Sequence, residues 1–507
     1  MMPTAPGRCV GRTLMIQAAR VLLAFVVCAL SVAAEAHGFA ERYDLPVPLR
    51  LYVGGSAAAV ALSFVVVAYF VRGDRTVQRY PTFNLLGTVA GRVLASRALG
   101  FVLRFFALFM LVLVVVAGLI GDDDPFKNIA PTTVWVIWWV GLAYVSGMLG
   151  DLWASLNPWR TVFEATEWLL TRLKPNMRLG LNMDYPERAG TWPAVVLFVW
   201  FIWAELIWPA SDSPAKLSQA VINYSVITWI GMLVFGSRNW LRHGEVFTVL
   251  FGLLARFAPT EFLAERREWN LRPWAVGLLP DKPMSVSLTV FVLLILSSVT
   301  FDGLLATPLW REIAQWMLMS DQVRPLILLT QDITGDAIAA ISTIALIIFL
   351  LAFQLMYLAF CTLMYFATPA EARVDLSIGE LARLFVLSII PIALAYHLAH
   401  YLSFLLIVGQ YMIPLASDPF GFGWNLFDTT LYLVDIGIVN ARFVWITSVI
   451  AIVTGHIIAV WLAHVVALRR FRDSRAALRS QIPMLFLMVA YTMLSLWILA
   501  QPVVETT

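Results

Sequence analysis

Ten separate stretches of this chain are apolar over about 18 residues or more, long enough to cross a hydrocarbon core of about 30 Å as a helix. They lie near 50–71, 99–120, 132–151, 192–209, 218–236, 285–306, 337–366, 384–413, 443–468 and 483–502. Lipid offers the backbone no hydrogen-bond partners, so a crossing segment must satisfy itself as a helix. The expected fold is therefore all-α, a polytopic integral membrane helix bundle. Composition agrees, because 60% hydrophobic and 13% charged side chains leave too little polar surface to cover 32 Phe and 20 Trp in water. A formal net charge of +3 provides no basic face for phosphates, which excludes nucleic acid as a partner.

Residues 1–36 read as a secretory signal peptide. Arg8, Arg12 and Arg20 precede an apolar run from Val21 to Ala33, and Ala34-Glu35-Ala36 supplies a small-x-small exit. Met15 offers an alternative start with the same exit site. An uncleaved first helix is the other reading of this stretch. With cleavage, the mature chain is one transmembrane domain, 37–507, that keeps a single cysteine, Cys361, and so has no internal disulfide.

Positive loops stay in the cytoplasm during insertion. Alternate connections carry 24 Lys and Arg, among them Arg72, Arg97, Arg178, Arg272 and Arg479, against 7 on the other side. The poorer side also holds Asp122, Asp123 and Asp124. This places both mature termini in the periplasm of a bacterial inner membrane. Trp159 to Leu173, Val246 to Phe257 and Pro308 to Gln331 keep a helical apolar rhythm between charged flanks, which predicts helices lying along the membrane surface.

Three of six histidines fall deep inside predicted spans, where an ionisable side chain is costly unless it faces protein or water. His397 and His400 are separated by i, i+3, about 60° around a helix. His456 lies 14 residues from Arg442, as His397 does from Arg383, so both reach about 21 Å into the bilayer from opposite sides. If the two helices are neighbours, His397, His400 and His456 supply three imidazoles for a catalytic metal, zinc or copper by donor type. Hydrogen bonding between helices is the alternative use. Tyr396, His397, His400, Ser403, Gln410 and Tyr411 share an arc of about 140°, which suggests a cavity wall, and Pro391 should kink this helix. His464 is expected at the interface.

Cleavage after Ala36 would expose the amine of His37 beside its imidazole, a two-nitrogen set that copper favours. Glu205 and Asp302, each among apolar neighbours, are the candidate catalytic acids or bases. Asp418, before Pro419, reads as a turn. There is no G-x-S-x-G elbow, no H-E-x-x-H, no nucleotide-binding glycine loop and no C-x-x-C-H.

His37-Gly38-Phe39-Ala40-Glu41-Arg42-Tyr43-Asp44-Leu45-Pro46-Val47-Pro48-Leu49 and Tyr396-His397-Leu398-Ala399-His400-Tyr401-Leu402-Ser403-Phe404 resemble segments of bacterial polytopic membrane proteins labelled fenitrothion hydrolase. The resemblance extends over most of the chain. It implies a phosphoric triester hydrolase whose apolar organophosphate substrate reaches the pocket through the bilayer, with metal-activated hydroxide attacking phosphorus. Two other functions fit the residues: a transporter or proton-coupled permease using buried histidines and acids as a relay, and a haem- or copper-binding redox subunit. A second membrane subunit is compatible with each.

Overall fold

The computed structural model describes residues 48–71, 80–174, 179–263, 266–471 and 473–501. The predicted signal peptide and His37 lie outside these residues. Among the described residues ten helices are long and apolar enough to span a membrane, one for each predicted stretch.

Fourteen helices carry the architecture. In chain order they are α1 (Leu49–Phe70), α2 (Arg97–Ile120), α3 (Ile129–Met148), α4 (Pro158–Leu173), α5 (Trp192–Leu206), α6 (Pro214–Phe235) and α7 (Val246–Ala255). There follow α8 (Val286–Leu305), α9 (Pro308–Met319), α10 (Arg324–Thr334), α11 (Ala337–Ala367), α12 (Ile378–Ser417), α13 (Ala441–Arg470) and α14 (Ser474–Leu499). The only described strands form a small antiparallel sheet in the loops, ordered Phe83–Asn84, Glu268–Leu271, Thr260–Leu263.

Hydropathy sets the helix lengths, and burial separates them into centre and rim. Most residues of α8 are buried, and it packs against α5, α11 and α12. In contrast α2 presents Phe101, Phe105 and Leu119 outward, as α1 does Leu62 and Val65. Large apolar side chains in such continuous exposed rows are what a lipid-facing surface requires.

The most extensive packing between two helices is that of α12 with α13. A Cβ on Gly455 would lie 2.7 Å from the Pro391 carbonyl oxygen and 2.6 Å from the Ala395 Cβ, so only glycine allows this approach. The regular helix of α12 is broken beside Pro391, where the sequence predicts a kink. A 3-10 turn over Val386–Ile389 interrupts α12, and Pro391 occupies the first turn of the segment that restarts at Ile390, where its missing N–H costs nothing.

One expectation is reversed. The apolar rhythm after Val246 predicts a surface helix, whereas α7 is buried along eight of its ten residues and packs against α3, α5 and α12. It enters the bundle as a short helix that does not cross. Glu245 caps its first turn, accepting from the Phe247 and Thr248 amides at 3.0 and 2.8 Å. By contrast α4, α9 and α10 form as amphipathic helices between spans, in accord with the reading of their sequences.

Candidate functional site

Three spans deliver a polar cluster to the bundle centre. Glu205 is the penultimate residue of α5, Asp302 stands three residues before the end of α8, and His400 and Tyr401 lie midway along α12. The ends of α5 and α8 put the cluster in the half of the bundle away from the arginine-rich connections.

His400 Nε2 is 2.8 Å from Asp302 Oδ2. The Tyr401 hydroxyl lies 2.5 Å from the same oxygen and 3.0 Å from Glu205 Oε1. Trp139 donates its indole N–H to Glu205 Oε1 at 2.5 Å. The order of contact is Trp139, Glu205, Tyr401, Asp302, His400. His400 and Asp302 keep 19% and 22% of their side-chain surface open, so the pair is reachable rather than sealed.

A phenol carries one hydrogen and can donate to one carboxylate at a time. If Tyr401 donates to Asp302, its contact with Glu205 is a hydrogen bond only when Glu205 carries a proton and donates to the phenol oxygen. All contacts are therefore satisfied together only when one proton beyond those of two ionised carboxylates is held in the cluster. Two adjacent bare carboxylates in this setting would also repel strongly. The geometry is that of a hydrogen-bonded chain across three helices.

Trp139 reaches Glu205 from an unusual backbone. Residues Thr132–Gly141 of α3 are π-helical, a wider turn that recurs at functional sites. The same indole ring packs against His397 with centroids 5.6 Å apart.

The described residues do not bring the three histidines together as a metal centre. His397 faces α3, with Tyr144 5.3 Å away ring to ring, and its Nε2 is buried without a partner. His400 is committed to Asp302. His456 donates from Nδ1 to the Ile452 carbonyl of its own helix at 2.8 Å and faces Tyr491 on α14 at 6.0 Å. Among the described residues no three His, Cys, Asp or Glu side chains stand together as a metal-holding group. The contact of Gly455 with Pro391 and Ala395 leaves no room for a haem between α12 and α13 at that level. Thus α12 and α13 are neighbours as expected, but the rotation of α13 about its axis turns His456 elsewhere.

Other expectations resolve individually. The sequence offers Glu205 and Asp302 as separate acids, and the fold joins them through Tyr401. His464 is buried at the level where the first span ends, with Nε2 2.9 Å from the Val71 carbonyl and Nδ1 3.3 Å from Gln481 Oε1. Gln410 does not line a cavity wall, because its amide holds the outer loop through Asp435 and Tyr432. Asp418 accepts from the Phe422, Gly423 and Trp424 amides, which makes it a turn residue.

Sequence reasoning misses Tyr401, Trp139 and Glu245. Tyr401 stands beside His400 with no distinguishing pattern, and nothing in α3 marks Trp139 among its tryptophans. Glu245 has a readable signal, a lone acid before an apolar run. Its carboxylate is fully buried and also accepts from Asn157 Nδ2 at 3.2 Å, Trp153 Nε1 at 3.4 Å, and the hydroxyls of Tyr224 and Thr248. So many donors mark it as an anchor for α7.

Fold and site together define a multi-pass α-helical membrane protein with a part-buried carboxylate–tyrosine–histidine centre. Compared with protein-family models, curated proteins and solved structures, the chain matches none.

Proposed function

We propose that this protein is a proton-coupled permease of a bacterial inner membrane, with its arginine-rich connections in the cytoplasm and both mature termini in the periplasm. The observation that carries the reading is the position of the Tyr401 hydroxyl between Glu205 and Asp302, because a shared proton there can be loaded and released. Ionisable groups within spans mark proton or substrate pathways by default. In a carrier cycle, proton arrival at the partly open Asp302–His400 pair would pass through Tyr401 to Glu205. Trp139 and α3 would then respond to the charge change on Glu205.

The test is infrared difference spectroscopy on reconstituted protein after a pH step. A carboxyl protonation band should appear in the wild type, disappear in Glu205→Gln or Asp302→Asn, and shift in Tyr401→Phe. A spectrum with no carboxyl band responding to pH would overturn the reading.

The sequence resemblance supports a second reading, hydrolysis of apolar organophosphate triesters. Here His400, held by Asp302, would accept a proton from the attacking water, a step that these two side chains can perform by themselves. Purified protein should then cleave an aryl phosphorothioate triester in the presence of a chelator, and His400→Asn should abolish turnover. Turnover restored only by added zinc or copper would return weight to a metal centre completed from outside the described residues.

A further inference from the structure

Beside the hydrogen-bonded chain lies a cavity of about 340 Å³, bounded by α2, α3, α5 and α6. That volume falls in the range of small-molecule sites. Six of the chain's 20 tryptophans line it, and its walls are almost wholly apolar. Tryptophan and tyrosine normally bring a polar tip to a ligand. Here the tips of three of the six tryptophans, and of Tyr224, are used elsewhere. Trp135 Nε1 donates to the Ser211 carbonyl at 3.0 Å, Trp159 Nε1 to Ser225 Oγ at 2.8 Å, and Trp153 and Tyr224 both donate to Glu245. The buried Glu245 thus turns two wall residues away from the space they enclose.

A ligand in this cavity finds ring faces and edges but almost no hydrogen-bond partner. A molecule with a buried hydroxyl, amide or charge would lose its hydration uncompensated, at a cost that excludes it. A flat hydrocarbon ring system matches the aromatic walls. The cavity also connects to the proton site through two side chains. Phe201 lines the cavity and packs on Trp139 with centroids 4.7 Å apart, and Trp139 is hydrogen-bonded to Glu205.

We propose that this cavity is a binding site for apolar ring hydrocarbons, read out at Glu205 through Phe201 and Trp139. The assignment of a readout rests on the permease reading above, whereas the binding itself does not. A small occupant that pushes Phe201 moves the indole that donates to Glu205, which couples occupancy to the proton held there.

The test uses an aryl diazirine, 3-phenyl-3-(trifluoromethyl)diazirine, photolysed with the reconstituted full chain, and a phospholipid carrying a diazirine in its acyl chain as the comparison. Aryl adducts should concentrate on cavity residues such as Met110 and Trp138 and fall at least tenfold with excess naphthalene. They should also be lost in Ala220→Phe and, independently, in Ala107→Phe, two variants that fill the cavity from different helices. Leu62→Phe, on the lipid-facing side of α1, should leave labelling unchanged. Labelling that naphthalene does not displace, that survives both filling variants in folded protein, or that the acyl-chain probe reproduces at the same residues overturns the site. Displaceable labelling with naphthalene leaving the carboxyl infrared band unmoved would overturn the readout alone. A missing carboxyl band together with displaceable labelling would sink the permease reading and leave the binding site standing.

Discussion

The Tyr401 hydroxyl stands 2.5 Å from Asp302 Oδ2, although the two residues are 99 positions apart. That contact joins α12 to α8 and, through the 3.0 Å contact to Glu205, both to α5. Tyr401→Phe keeps the ring that packs against His397 and His400, each 4.8 Å away, and removes only the bridge. It should destabilise the protein by about 1–3 kcal/mol, the usual cost of stranding buried polar partners. With Tyr401 in place, Glu205→Gln and Asp302→Asn should be coupled in a double-mutant cycle, and the coupling energy should change in Tyr401→Phe protein, where only direct repulsion between the acids remains. Thermal unfolding in detergent measures both effects.

His400→Leu leaves Asp302 without its basic partner. Breaking a buried pair from one side costs about 3–5 kcal/mol, and the remaining exposure of both groups places this pair at the low end or below. His400→Leu combined with Asp302→Asn should recover much of the loss, which a thermal-shift series on the four proteins would reveal. A double variant as unstable as the sum of the singles would contradict the pairing.

Trp139→Phe preserves an aromatic ring against Phe201 and removes the donor to Glu205. The expected cost is about 1–3 kcal/mol. The shared carboxyl infrared band should shift, because the indole contact on Glu205 is lost. An unmoved band would mean that Trp139 does not bear on the held proton.

Helix packing at Gly455 can be checked by size. Gly455→Ala should lower the melting temperature and Gly455→Leu should block folding, because the added atoms meet the Pro391 carbonyl and Ala395. Gly54→Ala on α1, where a Cβ meets nothing within 4 Å, should be neutral or slightly stabilising. Equal melting temperatures for the two alanine variants would refute the close approach.

Glu245→Ala removes a helix cap and strands several buried donors, so a loss of about 3 kcal/mol or more is expected. Glu245→Gln should fall between alanine and wild type. Limited proteolysis should cut near α7 in the alanine variant, since the helix depends on this carboxylate for its buried position.

The sequence alone located each of the ten long apolar helices among the described residues, most ends to within a few residues, although the last helix begins at Ser474 rather than 483. Hydropathy does this because the transfer of a segment to lipid is a nearly additive sum over about 20 consecutive residues. Polar residues in those segments also pointed to a role for Glu205, Asp302 and His400, since leaving them in lipid is costly. Tertiary structure decided which of them meet. A span's hydropathy is the same at every rotation about its axis, so nothing local could tell that α13 turns His456 toward Tyr491 while α12 presents Tyr401 to two acids. Whether an apolar helix lies on the membrane or inside the bundle is likewise settled by its neighbours. The sequence around Val246 suits both, and the donors gathered around Glu245 place α7 inside.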